Sequence, residues 1–351
     1  MLFSRAPSPP RSVRTFGFLH LDSATKIEEE RMPAYERNFY YPVRLGDVPT
    51  EVEVLRHLSN INPESHPCRS VIRTMLDNFE IDGSWGKHQC IVQEPLLTSL
   101  LHFQVTFDPP RLNKDLVRGV AQQLLLALDF LHTEAHVTHT DIQAKNIIIG
   151  SNDTSVFVEW YQEEESQPSA RKMIGDQIIY QSRPFRRNGN LKRFGLPILS
   201  DFGEARIGDR HQGSIQPDMY RAPEVLLGME WTSKADIWNV GVLMWDLLES
   251  RHLLDARGLD GRHSAVQHLA EMVALLRPPP LEFLQRSSES ANYWTAEGLW
   301  KNSVDIPQTS LEDSLTSLVG ESKTAFLNFA LKMLRWDPDK RPSARELLTD
   351  S

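Results

Sequence analysis

An ordered series of short motifs, beginning at residue 139, is the feature that most constrains this chain. The first is HTDIQAKNIII, His139–Ile149, in which Asp141 and Asn146 stand five residues apart just before an apolar run. An isolated D-x-x-x-x-N predicts no more than a solvated loop. Four further motifs in a fixed order make that explanation improbable. They are Asp201–Gly203 (DFG), Tyr220–Glu224 (YRAPE), Asp236–Trp238 (DIW) and the pair Asp337-Pro338 with Arg341-Pro342.

The residue types in the first two motifs suit phosphoryl transfer. That reaction asks a protein mainly for positioning and for stabilisation of charge. Asp141 offers a carboxylate that can orient a substrate hydroxyl or accept its proton. Asn146 and Asp201 offer hard oxygen atoms, which Mg²⁺ prefers together with phosphate oxygens. The sequence therefore predicts Asp141 as a catalytic residue and Asn146 and Asp201 as magnesium ligands.

Composition narrows the class of protein. The 351 residues are 40% hydrophobic and 24% charged, as in a globular protein of one large or two smaller domains. A net charge of −9 argues against direct binding to nucleic acid, although it would suit a basic protein partner. Cys68 and Cys90 form no metal or disulfide pattern, which favours a reducing compartment, the cytoplasm or the nucleus. No apolar run reaches the ~18 residues of a membrane span, so we expect no membrane association.

Helical periodicity is clear in three segments. Thr50–Leu58 has an apolar stripe, Asn113–His132 is amphipathic, and Ser233–Glu249 is apolar on nearly every side and should be buried. Two further helices are expected from Leu311 onwards, the last of them at Ser343–Leu348. Strands are expected at Val71–Phe79 and Gln89–Gln93.

Two regions do not show this regularity. Residues 150–199 combine an acidic run with a basic run and read as an insertion that is mainly solvated loop. Residues 1–21 carry Arg5, Arg11 and Arg14 without an acid, which faintly resembles a transit peptide, but their prolines oppose an amphipathic helix. A targeting signal and a disordered arm both stay open. We predict an N-terminal arm over 1–47, a small segment over 48–95 and a large helical segment over 96–351.

On these motifs, the chain from about Val48 to its C-terminus resembles the eukaryotic protein kinases. His139-Thr140-Asp141, in place of His-Arg-Asp, looks like the SR-protein kinases, which phosphorylate serines in Arg/Ser-rich segments. The stretch IQPDMYRAPEVLLG and the long insertion before DFG are similar to a divergent fungal branch of those kinases. The resemblance implies an α+β, two-lobed kinase-like fold with a small β-lobe and a large, mainly α-helical lobe. It also implies a monomeric serine/threonine kinase that uses ATP and Mg²⁺.

The resemblance also assigns roles by position. Asp141 corresponds to the catalytic aspartate, and Glu51 to the acid of the small-lobe helix. Glu94, Pro95 and Leu96 correspond to the hinge that meets adenine, and Ile148 to a residue beside the nucleotide. Asp236 should bind backbone amides of the catalytic loop. Glu224 should form a buried ion pair with Arg341.

Departures from the family pattern occur in the catalytic loop. Gln143 stands where the family usually has a lysine that meets the γ-phosphate. Lys145 stands where tyrosine kinases place an arginine for that task, so we predict Lys145 as the catalytic cation. Thr140 replaces the arginine that usually receives an activating phosphate, and Ser214 is the single hydroxyl between Gly203 and Tyr220. We therefore expect no phosphorylation switch in this segment.

The largest departure precedes Glu51. Gly17 and Gly46 are the only glycines there and cannot form a G-x-G-x-x-G loop. Lys26, the one lysine before Lys87, lies in a polar, acidic context rather than a strand. The small β-lobe is thus truncated, as though its first three strands had been excised. Evolutionary loss, an alternative transcript and a faulty gene model all predict this same sequence.

Two functions from different classes follow from these departures. One is an active kinase for Arg/Ser-type substrates, and the other is a non-catalytic, kinase-like binding module. The large-lobe motifs favour the first and the truncation favours the second. For the chain as written we expect impaired catalysis, weak binding of Mg-ATP, and exposure of Val71, Ile72 and Ile91 beneath the lost strands.

Overall fold

The structure, a computed structural model, describes residues 18–22, 25, 50–61, 70–83, 86–174, 177–183, 193–258, 260–301 and 304–349. The chain divides into two compact units. The smaller unit combines Met1–Arg44 with Ser151–Arg193, and the larger combines Leu45–Gly150 with Phe194–Ser351.

Both units contain regular secondary structure. The helices are α1 (Glu51–Asn60), α2 (Leu100–Gln104), α3 (Lys114–Thr133), α4 (Ser155–Ser166), α5 (Pro223–Leu226), α6 (Lys234–Leu248), α7 (Ala265–Leu276), α8 (Leu281–Leu284), α9 (Leu311–Ser314), α10 (Gly320–Met333) and α11 (Ala344–Leu348). The strands are β1 (Met75–Gly83), β2 (Gly86–Gln93), β3 (Thr98–Ser99), β4 (Val137–Thr138), β5 (Ile147–Ser151), β6 (Arg171–Ile174), β7 (Gln177–Tyr180), β8 (Phe194–Leu199) and β9 (Arg206–Ile207). The larger unit thus has the α+β fold expected, with a small sheet lobe and a large helical lobe.

Helix α1 begins at a capping box. The Thr50 hydroxyl accepts a hydrogen bond from the Glu53 backbone N, while the Glu53 carboxylate accepts one from the Thr50 backbone N at 2.7 Å. These bonds satisfy amide groups that the first turn leaves without helical partners. The helix predicted over Thr50–Leu58 is confirmed, and its apolar stripe is buried. Glu51 is consequently held in the first turn of a fixed helix.

Strands β1 and β2 pair antiparallel into a hairpin. The first strand begins four residues later than predicted, at Met75 rather than Val71, and both strands continue into the predicted turn, where Ile81–Gly83 and Gly86-Lys87 pair across the hairpin. The face that carries Phe79 and Ile81 is exposed, with Phe79 at 50% and Leu76, the bulged residue, at 57%.

The expected exposure of Val71 and Ile72 is wrong. These side chains are only 7% and 4% exposed, because Ile72 forms a parallel bridge with Leu199 and both pack into the core. Ile91 is partly buried and packs against the same core. Val71, Ile72 and Ile91 are therefore covered from within the larger unit, whereas the face of the hairpin that carries Phe79 and Ile81 is exposed.

The core of the larger unit surrounds α6. Its residues are buried on nearly every side, as predicted for Ser233–Glu249. Gly241 allows α10 to approach, since a Cβ at that position would lie 2.9 Å from Leu334 Cδ2 and 3.2 Å from Met333 Cβ. The predicted amphipathic helix Asn113–His132 is also confirmed as α3, with Asn113 as its N-cap. Beyond Leu311 the described chain forms α9, α10 and α11 rather than two helices.

A three-stranded sheet brings the polar motifs to one place. Its order is β3-β5-β8, and β3 pairs antiparallel with β5. The turn Ala144–Asn146 leads directly into β5, and β8 leads directly into Ser200 and Asp201. The Ser200 backbone N donates to the Asn146 carbonyl at 2.9 Å. The two motifs that begin at residues 139 and 201 thus meet at one end of this sheet.

The prediction that residues 150–199 are mainly solvated loop is wrong over the described part. The segment forms α4 and the β6–β7 hairpin, and its last strand, β8, belongs to the sheet of the larger unit. The charges that suggested a loop are instead paired, because the Arg193 guanidinium donates to both carboxylate oxygens of Glu159 at 2.9 Å. The Trp160 indole also donates to the Arg183 carbonyl at 3.1 Å.

The described part of the predicted N-terminal arm pairs with this insertion. His20 forms a parallel bridge with Arg171, and the Leu21 backbone N donates to the Arg171 carbonyl at 2.8 Å. The Lys172 ammonium donates to the Thr25 carbonyl at 2.6 Å. Insertion and arm therefore form one unit, although the sequence treats them separately.

Glu224 and Arg341 form a buried ion pair in the larger unit. The guanidinium donates to both carboxylate oxygens at 2.6 Å, and neither side chain is more than 1% exposed. Arg341 also donates to the Lys234 and Arg335 carbonyls, at 2.9 and 3.0 Å. The pair therefore ties α5 to the start of α6 and to the segment that leads into α11.

We predict that Glu224→Ala and Arg341→Ala each lower the free energy of unfolding by about 3–5 kcal/mol, because either leaves an uncompensated buried charge. The double variant should lose less than the sum of the two. Thermal and denaturant unfolding would measure all three. Lys87→Ala is the control, since the Lys87–Glu80 pair is exposed and should contribute less than about 1 kcal/mol. Small, additive losses from the buried pair would contradict the prediction.

Candidate active site

Asp141 is the centre of a hydrogen-bonded loop. Its Oδ2 accepts from Asn146 Nδ2 at 2.7 Å, and its Oδ1 accepts from Gln143 Nε2 at 2.5 Å. Asn146 Nδ2 also donates to the Asp141 carbonyl at 2.9 Å, which closes the loop on itself. Two side-chain amides therefore fix the orientation of the carboxylate, as a group that must meet a substrate hydroxyl requires.

Asp236, at the start of α6, anchors the backbone of this loop. Its Oδ2 accepts from the His139 backbone N at 2.8 Å, and its Oδ1 accepts from the Thr140 backbone N at 2.8 Å. His132, at the end of α3, lies with Nε2 2.9 Å from Oδ2. Thr140 has a φ of 70°, in the left-handed region that non-glycine residues rarely adopt. The buried carboxylate thus holds a strained turn immediately before Asp141.

His139 links the loop to the DFG motif. The Asp141 backbone N donates to His139 Nδ1 at 3.3 Å, so the other ring nitrogen, Nε2, is the donor to the Ser200 carbonyl at 3.1 Å. The ring is fully buried and packs against Phe202 at a centroid distance of 5.1 Å. The imidazole therefore acts as a spacer between the two motifs.

Asn146 and Asp201 fit a magnesium ion by their chemistry. The Ser200 hydroxyl and backbone N both bond to the Asn146 carbonyl, at 3.0 and 2.9 Å, which brings Asp201 beside the loop. Because Asn146 uses its Nδ2 toward Asp141, its amide oxygen is the atom left to face a cation. Asp201 is exposed and has a φ of 67°. Its carboxylate is thus offered to solvent by another left-handed turn.

Glu51 faces the same region from α1. Burial raises the pKa of this carboxyl above its usual value, and the nearby Asp201 charge raises it further. A hydrogen bond from the Phe202 backbone amide and the charge of Arg73 lower the pKa in opposition. The larger unit thus brings the small-lobe acid close to the DFG motif.

The predicted hinge joins β2 to β3. The Glu94 carbonyl accepts from Arg73 Nη2 at 3.2 Å. Pro95 and Leu96 follow outside any helix or strand, and the Leu97 backbone N donates to the Ile149 carbonyl at 2.9 Å. Ile148 is half-buried on β5, opposite Ser99.

Lys145, the predicted catalytic cation, lies near Asp141 without a hydrogen bond to it. Lys145 Nζ lies 3.9 Å from Asp141 Oδ2 and its side chain is 55% exposed, so it is near the carboxylate but not hydrogen-bonded to it. Gln143 makes the closer contact. Lys26 lies outside the described residues.

Sequence reasoning missed Arg73. No kinase motif contains it, and it lies between the predicted strand residues Val71-Ile72 and Thr74-Met75. A charged residue within such an apolar run is itself a signal, because burial of a cation needs a partner. The family pattern marks Gln143 only as a departure and does not predict its contact with Asp141.

The segment after DFG makes little provision for a phosphate. Ser214 is exposed, and the Thr140 hydroxyl donates to the Glu204 carbonyl at 2.7 Å. Arg210 Nη1 lies 2.6 Å from Glu230 Oε1, and Arg206 Nη2 lies 3.9 Å from Glu204 Oε2, so both arginines already face carboxylates. The Trp231 indole donates to the Gly213 carbonyl at 3.0 Å. The segment is thus held by contacts of its own.

Comparison with known proteins identifies the class. The family model of the protein kinase domain matches residues 185–351. A serine/threonine protein kinase of Aspergillus fumigatus (strain CBS 144.89) is 51% identical over 390 aligned positions, which cover 99% of this chain and 96% of that protein. The chain belongs to the protein kinase family.

More distant relatives are also kinases. Serine/threonine-protein kinase SRPK of Physarum polycephalum is 28% identical over 85% of this chain and 74% of that protein. Dual specificity protein kinase CLK1 of Homo sapiens is 29% identical over 85% of this chain and 55% of that protein. Separately, no helix in the described part of the chain is both long and apolar enough to cross a membrane.

We predict that Ser214→Ala leaves the segment after DFG unchanged, because its order depends on neutral and ion-pair contacts rather than on a phosphate. Limited proteolysis of the purified protein and any kinase activity should match wild type. Trp231→Phe, which removes the bond to Gly213, is the comparison variant and should increase cleavage there. A large change in Ser214→Ala would refute the prediction.

Proposed function

We propose that this protein is an ATP-dependent serine/threonine kinase of the SR-protein-kinase type whose catalysis is impaired in this chain. The observation that carries the proposal is the loop in which Gln143 and Asn146 orient Asp141, joined through Ser200 to Asp201. Residues 48–95 serve as a truncated small lobe and residues 96–351 as the large lobe, with an insertion in the sequence over residues 150–199.

Asp141 has the role of orienting the substrate hydroxyl and accepting its proton. Its two oxygens each accept one amide hydrogen bond, which leaves further lone pairs for the hydroxyl. Lys145 is the nearby cation for phosphate charge. Asn146 and Asp201 are the residues that would hold Mg²⁺, which supplies charge neutralisation on the phosphates when bound.

The adenine base of ATP is assigned to the hinge. Backbone groups of Glu94 and Leu96 offer it hydrogen bonds across Pro95, with Ile148 on the strand beside them. Glu51 is the small-lobe acid that orients a phosphate-binding cation. The net charge of −9 suits a basic protein substrate of the Arg/Ser-rich type. The two cysteines suit action in the cytoplasm or nucleus, and the protein is proposed to act as a monomer.

The truncation supports the part of the proposal that catalysis is impaired. The alignment with the Aspergillus fumigatus kinase has 390 positions and this chain has 351 residues, so at least 39 positions face gaps in this chain. That total would accommodate the loss of three strands, at about 3–10 residues for each strand and a few for each turn. Sequencing the transcript across the codons for residues 44–54 would test this, since an in-frame Gly-rich loop and lysine would restore a complete kinase.

A non-catalytic, kinase-like binding module is the second candidate. The specific observation in its favour is the chain before Glu51, which has no Gly-rich loop and only Lys26 as a lysine. An incomplete gene product would have the same properties.

We predict weak binding of Mg-ATP and phosphorylation of an Arg/Ser peptide barely above background. Groups directed at the transferring phosphate are each worth about 10²–10³ in rate, and loss of the Gly-rich loop also admits water. Calorimetry with Mg-ATP and a radiometric peptide assay would measure the two properties.

Asp141→Asn is the blank for the peptide assay, because it keeps the size of the side chain but removes the charge and one acceptor oxygen. Residual phosphorylation that disappears in Asp141→Asn supports the kinase. Turnover that is unchanged by Asp141→Asn comes from a contaminant and favours the binding module. Micromolar binding with strong, Asp141-dependent turnover would contradict impairment.

A further inference from the structure

Arg73 occupies a fixed position between the hinge and the DFG motif. Its backbone N donates to the Leu199 carbonyl at 2.7 Å, two residues before Asp201, and the adjacent Ile72 bridges to the same strand residue. Its side chain reaches the Glu94 carbonyl, with Nη2 at 3.2 Å. Arg73 is therefore held both at its backbone N and at its guanidinium, beside the hinge that is proposed to meet adenine.

The charge of Arg73 acts on the acids of this region. Its field lowers the pKa of Glu51, while burial lowers the pKa of Arg73 itself and the Glu51 carboxylate opposes that shift. An arginine nevertheless stays protonated in a protein. A half-buried cation thus lies within electrostatic range of Glu51, which in turn lies within range of Asp201.

Part of the hydrogen-bonding capacity of Arg73 is unused. Its Nε is buried and has no hydrogen-bond partner among the described residues. A buried polar donor without a partner needs an explanation, and a site for an anion is one. A guanidinium offers several donors in a rigid fork, which matches the oxygen atoms of phosphate better than a lysine ammonium does.

We propose that Arg73 is the phosphate-binding cation of the nucleotide site in this chain, taking the place of the strand lysine that the truncated lobe lacks. The ligand class is a magnesium-complexed polyphosphate. The inference rests on the proposed nucleotide-dependent function and adds to it a residue outside every kinase motif. Its bond to the Glu94 carbonyl is then a resting contact that the phosphate replaces.

A competing role for the same contact is obstruction. If Arg73 holds the Glu94 carbonyl permanently, it removes an acceptor that adenine would use. The two roles predict different effects of mutating Arg73. Phosphate binding depends on the Arg73 cation, whereas adenine binding depends on a free Glu94 carbonyl.

The test compares three probes: Mg-ATP, Mg-tripolyphosphate and adenosine. Each is titrated by calorimetry against the full chain and against Arg73→Met, Arg73→Gln and Arg73→Lys. Arg73→Gln keeps a donor for the Glu94 carbonyl without the charge, so it decides the question if Arg73→Met fails to fold. Arg56→Met is the matched control, since Arg56 is an exposed cation on α1 that bonds to Asn78 instead. Thermal melts establish folding for every variant.

We expect Arg73→Met and Arg73→Gln to weaken Mg-ATP and Mg-tripolyphosphate about tenfold, the loss of one hydrogen bond to a charged group. Adenosine binding should be unchanged, Arg73→Lys should fall between, and Arg56→Met should match wild type. Equal affinities for tripolyphosphate in wild type and the neutral variants would overturn the proposal. Tighter adenosine and ATP binding in those variants would also overturn it, in favour of obstruction. Wild-type protein that binds none of the three probes would instead refute the proposed nucleotide-dependent function, and the inference with it.

Discussion

The carboxylate of Asp236 carries the arrangement on which the candidate site depends. It is fully buried, and burying an unpaired charge costs several kcal/mol. Its hydrogen bonds with two loop amides and with His132 offset that cost, and its position in the first turn of α6 is favoured by the helix dipole. The bonds also stabilise the loop, because its amide groups would otherwise be buried without partners. The carboxylate and the strained turn at Thr140 therefore stabilise each other.

This anchor is rigid because α6 is packed on every side. Gly241 admits α10 closely, and the Lys234 carbonyl at the start of the helix accepts from Arg341. The Glu224–Arg341 pair and the Asp236 contacts consequently meet at one end of one helix. The geometry around Asp141 thus depends on contacts made within the large lobe.

Sequence reasoning succeeded where residue spacing along the chain determines the local structure. Helical periodicity predicted α1, α3 and α6, and the structure confirms all three. The D-x-x-x-x-N and DFG motifs assigned Asp141, Asn146 and Asp201 to one site, and Ser200 bonds the two motifs together, while the roles of the three residues stay predictions. Sequence reasoning failed where pairing decides structure, because charges in residues 150–199 read as solvated but form ion pairs such as Arg193 with Glu159. The sequence did not predict a role for Arg73, for a related reason. Its significance comes from its distance to Glu94 and Leu199, and no local pattern encodes contacts so remote along the chain.

The pairing of the N-terminal segment with the insertion has a consequence for biosynthesis. The bond between Lys172 and Thr25 joins residues 147 positions apart, and the bridge from His20 to Arg171 spans a similar length. At about 5–20 residues per second, the early segment leaves the ribosome on the order of ten seconds before its partner strand exists. During that time it is available to other strand edges and to chaperones. Residues 18–22 and Thr25 therefore reach their final neighbours only after about half of the chain has been synthesised.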